Sequence, residues 1–229
     1  MSEALRGISS MATRPLLAGL AAAYADRHGG QVRFESVGGV DAAKRVQVGE
    51  PFDLVVLASD AIDKLVATSR VVSGSKVDLV RSGVACCVRA GAPRPDIGSE
   101  DALRQAVLAA ASVGYSTGPS GVALLQLFER WGIAEKIQDR IVLAPPGVPV
   151  GTLVASGDVA LGFQQLSELM NLQGIDVIGP LPDPVQITTI FSAGQCAGSA
   201  QGDAVRRLLA FMASPETAEL KRSNGMAPA

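Results

Sequence analysis

Along the chain, short apolar runs alternate with segments in which apolar residues recur at helical spacing. Leu16, Leu20 and Tyr24 mark the buried face of one such helix, which starts near Pro15 and continues to His28. The predicted strands cover residues 5–9, 31–36, 52–58, 84–89, 111–115, 141–144, 159–163, 175–178 and 187–192. Strands that alternate with helices form right-handed βαβ units, so we predict an α/β fold with mostly parallel sheets.

Three of the predicted strands end in turns that are rich in glycine and hydroxyl residues. These turns are Ser9-Ser10, Gly38-Gly39 and Tyr115-Ser-Thr-Gly-Pro-Ser-Gly121, and a helix is predicted after each. Free backbone N–H groups and the positive end of the helix dipole favour an anion at such a turn. Because ligands of open parallel sheets bind beyond the carboxyl ends of the strands, we expect the three turns to form one anion site. A capped strand–helix turn without a ligand is the alternative for any one of them.

The third turn carries the most detailed expectation. Ser116, Thr117 and Ser120 supply three hydroxyl groups within five residues. Ser120 fits the N-cap position of the following helix. Gly121 has no side chain and would let a ligand approach the backbone.

Composition and charge exclude several classes of protein. The 229 residues are 48% hydrophobic and 18% charged, with a net charge of −2, which is typical of a globular chain with one large domain or two lobes. No run of Lys or Arg and few aromatic residues are present, so nucleic-acid binding is not expected. No apolar run reaches the ~18–20 residues of a membrane span, so the chain is not membrane-embedded. The N-terminus lacks the build of a secretory signal, so the protein is cytoplasmic if the chain is complete, or periplasmic if a leader has been removed.

The cysteines and the single histidine give no sign of a metal centre or a cofactor. Cys86 and Cys87 are adjacent in a predicted strand and therefore point to opposite faces, and Cys196 lies in a loop of small residues. No Cys/His metal spacing exists. We predict three buried thiols, and no metal and no cofactor.

In the order of its parts the chain resembles the type II periplasmic binding protein fold and, within it, the molybdate-binding protein family. The resemblance covers nearly the whole chain and is carried by Ser9-Ser10, Val46-Gln-Val-Gly-Glu-Pro-Phe-Asp-Leu54, Pro119-Ser-Gly121, Ala155-Ser-Gly-Asp-Val-Ala-Leu-Gly162 and Ser214-Pro-Glu-Thr-Ala218. It implies two α/β lobes with the ligand cleft between them. Lobe one would be residues 1–80 plus 187–229 and lobe two residues 81–186, with hinge crossings near 78–83 and 179–186.

The resemblance also implies a ligand-binding set of serine hydroxyls and backbone N–H groups. Carried over by position, this set comprises Ser9 or Ser10, Gly38 or Gly39, Ser120, and the helix start at Val148. The sequence departs from the family where Gly38-Gly39-Val40 replaces serines and where Gln164 or Gln165 replaces a tyrosine. The longer first turn also brings in Arg14.

These departures favour an organic di- or tricarboxylate over a compact oxyanion such as molybdate. Glycines enlarge the pocket, and a glutamine amide offers both donors and an acceptor. The guanidinium fork of Arg14 suits a planar carboxylate. A surface position for Arg14 and a polar strand end for the glutamines are the structural alternatives.

Two uses of such a site stay open. The first is solute binding for uptake through an ABC transporter permease. The second follows from a resemblance to the branch of this fold that includes aconitate isomerase, carried by the Gly-Pro-Ser-Gly turn and Gly162-Phe-Gln-Gln-Leu-Ser167. That reaction needs a base beside a substrate carboxylate, and no base is identified.

Three side chains are weighed as that base. His28 is expected on the surface and Asp53 in a pair with a cation, while Glu35 at the end of the second strand is better placed but can equally be structural. A ligand-sensing domain of a regulator is a third use of the fold. It is discounted because no helix-turn-helix segment precedes the first strand.

Overall fold

The computed structural model describes residues 4–145 and 147–229. These residues form two compact units, one running to Arg81 and resuming at Ile190–Ala229, the other covering Ser82–Thr189. The first passage between the units lies inside the segment 78–83, and the second follows the segment 179–186 by a few residues. Both passages occur within continuous strands, β4 (Val77–Arg89) and β9 (Thr188–Gln195).

In the first unit, three parallel strands form the part of the sheet that matters for function. The strands are β1 (Leu5–Ser10), β2 (Val32–Val37) and β3 (Leu54–Ala58), with β1 in the middle and β9 antiparallel to β3. Each parallel strand leads into a helix: α1 (Arg14–His28), α2 (Gly39–Gln47) and α3 (Ser59–Ala67). The unit is completed by α9 (Gly202–Ala213), α10 (Ala218–Ser223) and β10 (Ala227–Pro228).

Alternation along β3 explains how helices cover both faces of this sheet. Leu54 and Val56 belong to a core with Leu16 and Leu20 of α1, whereas Val55 and Leu57 belong to a second core. Ile62 of α3 and Ala42 of α2 lie in that second core. A strand that is buried on both sides is almost wholly apolar, as the run at residues 52–58 indicated.

The second unit repeats the arrangement with the same relative strand order. Here β5 (Val113–Ser116) lies between β6 (Ile141–Ala144) and β7 (Leu161–Gln165) and is parallel to both. β4 pairs antiparallel with β7 and with β8 (Ile175–Pro180). The helices are α4 (Glu100–Ala109), α5 (Pro119–Arg130), α6 (Ala134–Ile137), α7 (Val150–Ser156) and α8 (Leu166–Leu169).

Cys86 and Cys87 lie on opposite faces of their strand, as the strand pattern predicted. Cys86 packs in one core with Phe128 and Phe163, and its neighbour Cys87 packs in the other with Val150. Cys196 is also buried, and burial raises the pKa of all three thiols to about 12. The prediction of buried thiols is confirmed, and these groups are therefore protonated at neutral pH.

One helix and one strand begin at positions that differ from the sequence-based prediction. The helix expected from Val148 begins at Val150, because the segment before it is taken up by a turn in which the Val148 N–H donates to the Pro145 carbonyl. The strand expected from Val84 begins at Val77, since it also runs through the first unit.

Across the residues described, no helix combines the length and the apolar character that crossing a membrane requires.

Candidate functional site

The first unit gathers two of the predicted turns at one edge of its sheet. Ser9 and Ser10 end the middle strand, in register with Ser36 and Val37 at the end of β2. The first of these serines also faces Val56 near the end of β3. Because the three strands are parallel, the starts of α1, α2 and α3 meet at this edge.

The two serines at the end of β1 have different surroundings. The Ser9 hydroxyl is fully buried, 2.8 Å from the Ser36 hydroxyl and 3.2 Å from the Ser10 carbonyl oxygen. The Ser10 hydroxyl is buried as well, but it has no hydrogen-bond partner among the described residues. An unpaired buried hydroxyl costs about 1–3 kcal/mol. Ser10 is therefore the serine that has a hydrogen bond to offer.

Gly39 lies next to Ser10, and Gly38 precedes it at the start of the same helix. Gly38 is the N-cap of α2 and Gly39 its first residue, and no side chain caps the helix. A Cβ atom at Gly39 would be 3.6 Å from Cβ of Ser10, so the helix start and the serine are neighbours. The first N–H groups of a helix have no partner within the helix. This corner of the first unit thus holds several hydrogen-bond donors, with the Asp41 carboxylate in the first turn of α2 as a side-chain acceptor beside Gly38.

Arg14 adds a positive charge at the same edge. It is the first residue of α1, its side chain is exposed, and it forms no ion pair with any described residue. A cation at a helix N-terminus is unfavourable because it faces the positive end of the dipole. A bound anion would relieve this repulsion.

The second unit places the hydroxyl turn at the corresponding edge of its own sheet. Ser116 ends β5, in register with Ala144 at the end of β6. The hydroxyls of Ser116, Thr117 and Ser120 make no hydrogen bond to a described residue and are partly or fully accessible. They are three further donors at a helix start.

The detailed expectations for this turn need correction. The N-cap of α5 is Gly118, and Ser120 is the second residue of the helix, because Pro119 occupies the first position. Proline suits that position, since it needs no N–H partner there. A Cβ atom at Gly121 would be only 1.7 Å from the Ser116 carbonyl oxygen. The missing side chain of Gly121 accommodates the turn itself, not the approach of a ligand.

Gln164 caps a helix. Its Oε1 atom accepts the Val150 N–H at 2.8 Å, at the start of α7, and its Nε2 atom donates to Oε1 of Glu168 at 2.8 Å. Both ends of the amide are therefore occupied within the second unit. The Val148 N–H is also occupied, by the Pro145 carbonyl at 3.0 Å. The Val148 N–H is therefore not a free donor, and the Gln164 carbonyl oxygen and one of its two N–H groups are already in use.

Gln165 retains one unused atom. Its Nε2 atom donates to Thr189 Oγ1 at 2.9 Å, while its buried Oε1 atom has no partner among the described residues. The side chain is 3% exposed. An acceptor left unpaired in this way would take a hydroxyl or a protonated carboxyl group.

Glu168 is the functional candidate that the sequence interpretation missed. It lies in α8, directly after β7, and is partly buried. Burial raises its pKa to about 7, against the opposing effect of the hydrogen bond from Gln164. Such a carboxyl group can both take up and release a proton near neutral pH. The sequence signal was a glutamate four residues after Gln164 at the end of a buried strand.

The acids and the histidine weighed earlier have other roles. Glu35 forms an ion pair with Arg45, and the hydrogen bond from that guanidinium lowers the pKa of Glu35. His28 is exposed and its ring stacks on Tyr24, 5.1 Å between centroids. Asp53 accepts a backbone N–H and the hydroxyl of Ser199, so the expected pair with a cation is wrong.

A shallow cavity of about 410 Å³ in the first unit involves none of the predicted ligand-binding residues. It is lined by the start of β1, by Arg33 and Glu35 of β2, and by Phe52. No group of three or more His, Cys, Asp or Glu side chains that could hold a metal ion occurs in the part of the chain that the structure describes.

Known proteins resemble this chain in sequence and in fold. A family model described as bacterial extracellular solute-binding protein matches residues 5–227, so the chain belongs to that family. It is 41% identical over 185 residues to an aconitate isomerase from a Pseudomonas species, which covers 80% of this chain and 70% of that protein. Both resemblances seen in the sequence are confirmed.

Two solved structures are similar to this chain in fold. The periplasmic molybdate-binding protein of Azotobacter vinelandii matches with a TM-score of 0.80 at 20% identity, over 97% of this chain and 98% of that one. The sulfate-binding protein SubI of Mycobacterium tuberculosis matches with a TM-score of 0.80 at 17% identity, over 100% of this chain and 88% of that one. The predicted class, an α/β fold of the type II periplasmic binding proteins, is confirmed.

The role of Gly121 leads to a stability prediction. We expect Gly121→Ala to lower the free energy of unfolding of the second unit by about 1–3 kcal/mol, because the new methyl group must displace the backbone of Ser116. Urea denaturation followed by fluorescence of Trp131, the single tryptophan, measures this. Ser120→Ala is the matched control, with a change within about 0.5 kcal/mol. Equal stability of the two variants would contradict the packing role.

Proposed function

We propose that this protein binds a small organic di- or tricarboxylate through hydroxyl and N–H groups at the helix starts. The observation that carries this proposal is Arg14, a cation without a carboxylate partner among the described residues, placed at the start of a helix. A planar guanidinium binds a planar carboxylate through two parallel hydrogen bonds. The free hydroxyl of Ser10 and the uncapped start of α2 add donors at the same edge.

The chemistry of the helix starts supports a carboxylate rather than a compact tetrahedral oxyanion. Gly38 and Gly39 have no side chains, so these two residues offer a ligand only their backbone N–H groups. The similarity to aconitate isomerase, whose name specifies a tricarboxylate, supports the same choice. The clamping of one ligand by two lobes, implied by the family, stays a prediction.

A second function, isomerisation of the bound tricarboxylate, is favoured by the same relative. Moving a double bond requires removal of a proton beside a carboxylate and stabilisation of the resulting negative charge. Donors that hold a carboxylate can also hold that charge, so binding and isomerisation share one site. Uptake through an ABC transporter permease is the use that the wider family suggests, and it would require a periplasmic location.

The Ser10 hydroxyl gives the sharpest test of the binding site. We expect Ser10→Ala to weaken binding of trans-aconitate by roughly 1–3 kcal/mol, or about 5- to 150-fold in Kd, by isothermal titration calorimetry. The unliganded variant should be no less stable than the wild type, because the hydroxyl it removes is unpaired.

Ser9→Ala is the matched control for that experiment. It removes the neighbouring hydroxyl, which is already bonded to Ser36, so it should lower stability by about 1 kcal/mol and leave the Kd unchanged. Wild-type affinity in the Ser10 variant would exclude Ser10 from the site. If Ser9→Ala alone raised the Kd, then Ser9, and not Ser10, would be the serine that binds the ligand.

Turnover is tested on the wild-type protein. In D₂O we expect the protein to convert cis-aconitate to trans-aconitate that carries deuterium on carbon. Proton NMR of the vinyl signals measures this conversion. If this site is the source of the activity, the rate of the Ser10→Ala variant should follow the fraction of that variant with substrate bound. A rate that follows only the total protein concentration would point to another source. Binding without interconversion and without deuterium uptake would leave solute binding as the function.

A further inference from the structure

Glu168 is a carboxyl group held by a neutral partner. Its Oε1 atom accepts a hydrogen bond of 2.8 Å from the amide of Gln164, and it forms no ion pair with a described residue. Its Oε2 atom has no hydrogen bond to the described residues. A carboxylate in these surroundings keeps one oxygen available to a substrate.

The topology places Glu168 at the same sheet edge as the donors of the second unit. Strand β7 is parallel to β5, so α8 begins at the edge where Ser116 ends β5 and leads to the hydroxyl turn. Gln164 also accepts the N–H of Val150, which ties Glu168 to the start of α7. The carboxyl group and the helix starts are therefore on one edge of one sheet.

Its surroundings explain why Glu168 can act as a base near neutral pH. Strand β7 and helix α7, the elements beside it, carry no ionisable side chain along Leu161–Gln165 and Val150–Ser156. Burial, not a neighbouring charge, raises its pKa to about 7. The carboxylate form of Glu35 is instead stabilised by its ion pair with Arg45, which lowers the pKa of Glu35.

We propose that Glu168 is the base that removes a proton from the methylene carbon beside a carboxylate of the bound tricarboxylate. This inference rests on the isomerase function proposed above. The proton moves to the free oxygen of Glu168, and the C–H electron pair spreads over the allylic carbons and the adjacent carboxylate. The neutral Glu168 then returns a proton to the allylic system, which restores the carbon–carbon double bond in its new geometry. No oxidant, reductant or second substrate is needed, because one proton is removed, one proton is returned and no electrons are gained or lost.

The variant Glu168→Gln separates this role from a structural one. A glutamine oxygen still accepts the Gln164 N–H, so the cap on α7 is kept and only the proton acceptor is lost. We expect kcat for aconitate interconversion to fall by ~10²–10⁴-fold, the range of general-base catalysis. The Kd of tricarballylate, a tricarboxylate without a double bond, should stay within about twofold.

Glu100→Gln is the control variant. Glu100 is also a carboxylate of the second unit that accepts from a neutral donor, the indole of Trp131 at 2.6 Å. Its replacement should change neither kcat nor Kd. A similar loss in both variants would mean that kcat reports general damage to the unit, and would overturn the assignment.

The pH profile supplies a readout that a structural role would not affect. Since the base must be ionised, wild-type kcat should rise with pH through about 7. The residual activity of Glu168→Gln should lack this rise. A wild type that neither interconverts aconitates nor exchanges deuterium would overturn the isomerase function together with the base. An active wild type with a Glu168→Gln variant within threefold of it would overturn the base alone.

Discussion

Helix starts without an acceptor are the constraint on which the rest of this structure depends. Each helix leaves its first N–H groups without a partner in the helix, and something must accept from them. The chain supplies an acceptor at some helices, with the Ser99 hydroxyl at α4 and the Gln164 amide at α7. At α2 and α5 the caps are Gly38 and Gly118, which have no side chain to offer. Those two helices follow the serine-containing edges, so the donors left free are the donors that a ligand would meet.

Much of this arrangement follows from local sequence. Short apolar runs, glycine turns and helical spacing depend on neighbouring residues, which is why each predicted strand has a counterpart in the structure. The opposite faces of Cys86 and Cys87 follow from strand geometry alone. The same patterns cannot say which of two adjacent serines is free, because that depends on Ser36, which lies on a different strand.

The features that the sequence did not reveal depend on contacts that no short pattern encodes. Gly121 is a glycine because the Ser116 carbonyl fills the space beside it. Gln164 reaches Val150, 14 positions earlier, so its carbonyl oxygen caps a helix. Glu168 becomes a candidate base only because folding buries it without a cation. Glu35 looked better placed in the sequence, but its ion pair with Arg45 lowers its pKa.

In the function proposed for this chain, binding and isomerisation differ by a single group, the Glu168 carboxyl. The donors that favour a carboxylate also favour the charge that forms when a proton leaves the neighbouring carbon. A family of solute-binding proteins can therefore include an enzyme if one buried carboxyl group lies within reach of the ligand.

The central claim is that the ligand is a carboxylate, and a thermal-shift panel tests it most directly. The panel compares citrate, cis-aconitate and trans-aconitate with molybdate, tungstate and sulfate at matched ionic strength. A ligand at ~100 times its Kd adds ~2.7 kcal/mol of stability, which gives a clear rise in Tm. We expect the tricarboxylates to raise the Tm and the inorganic oxyanions to leave it unchanged. A rise with molybdate or tungstate alone would contradict the account.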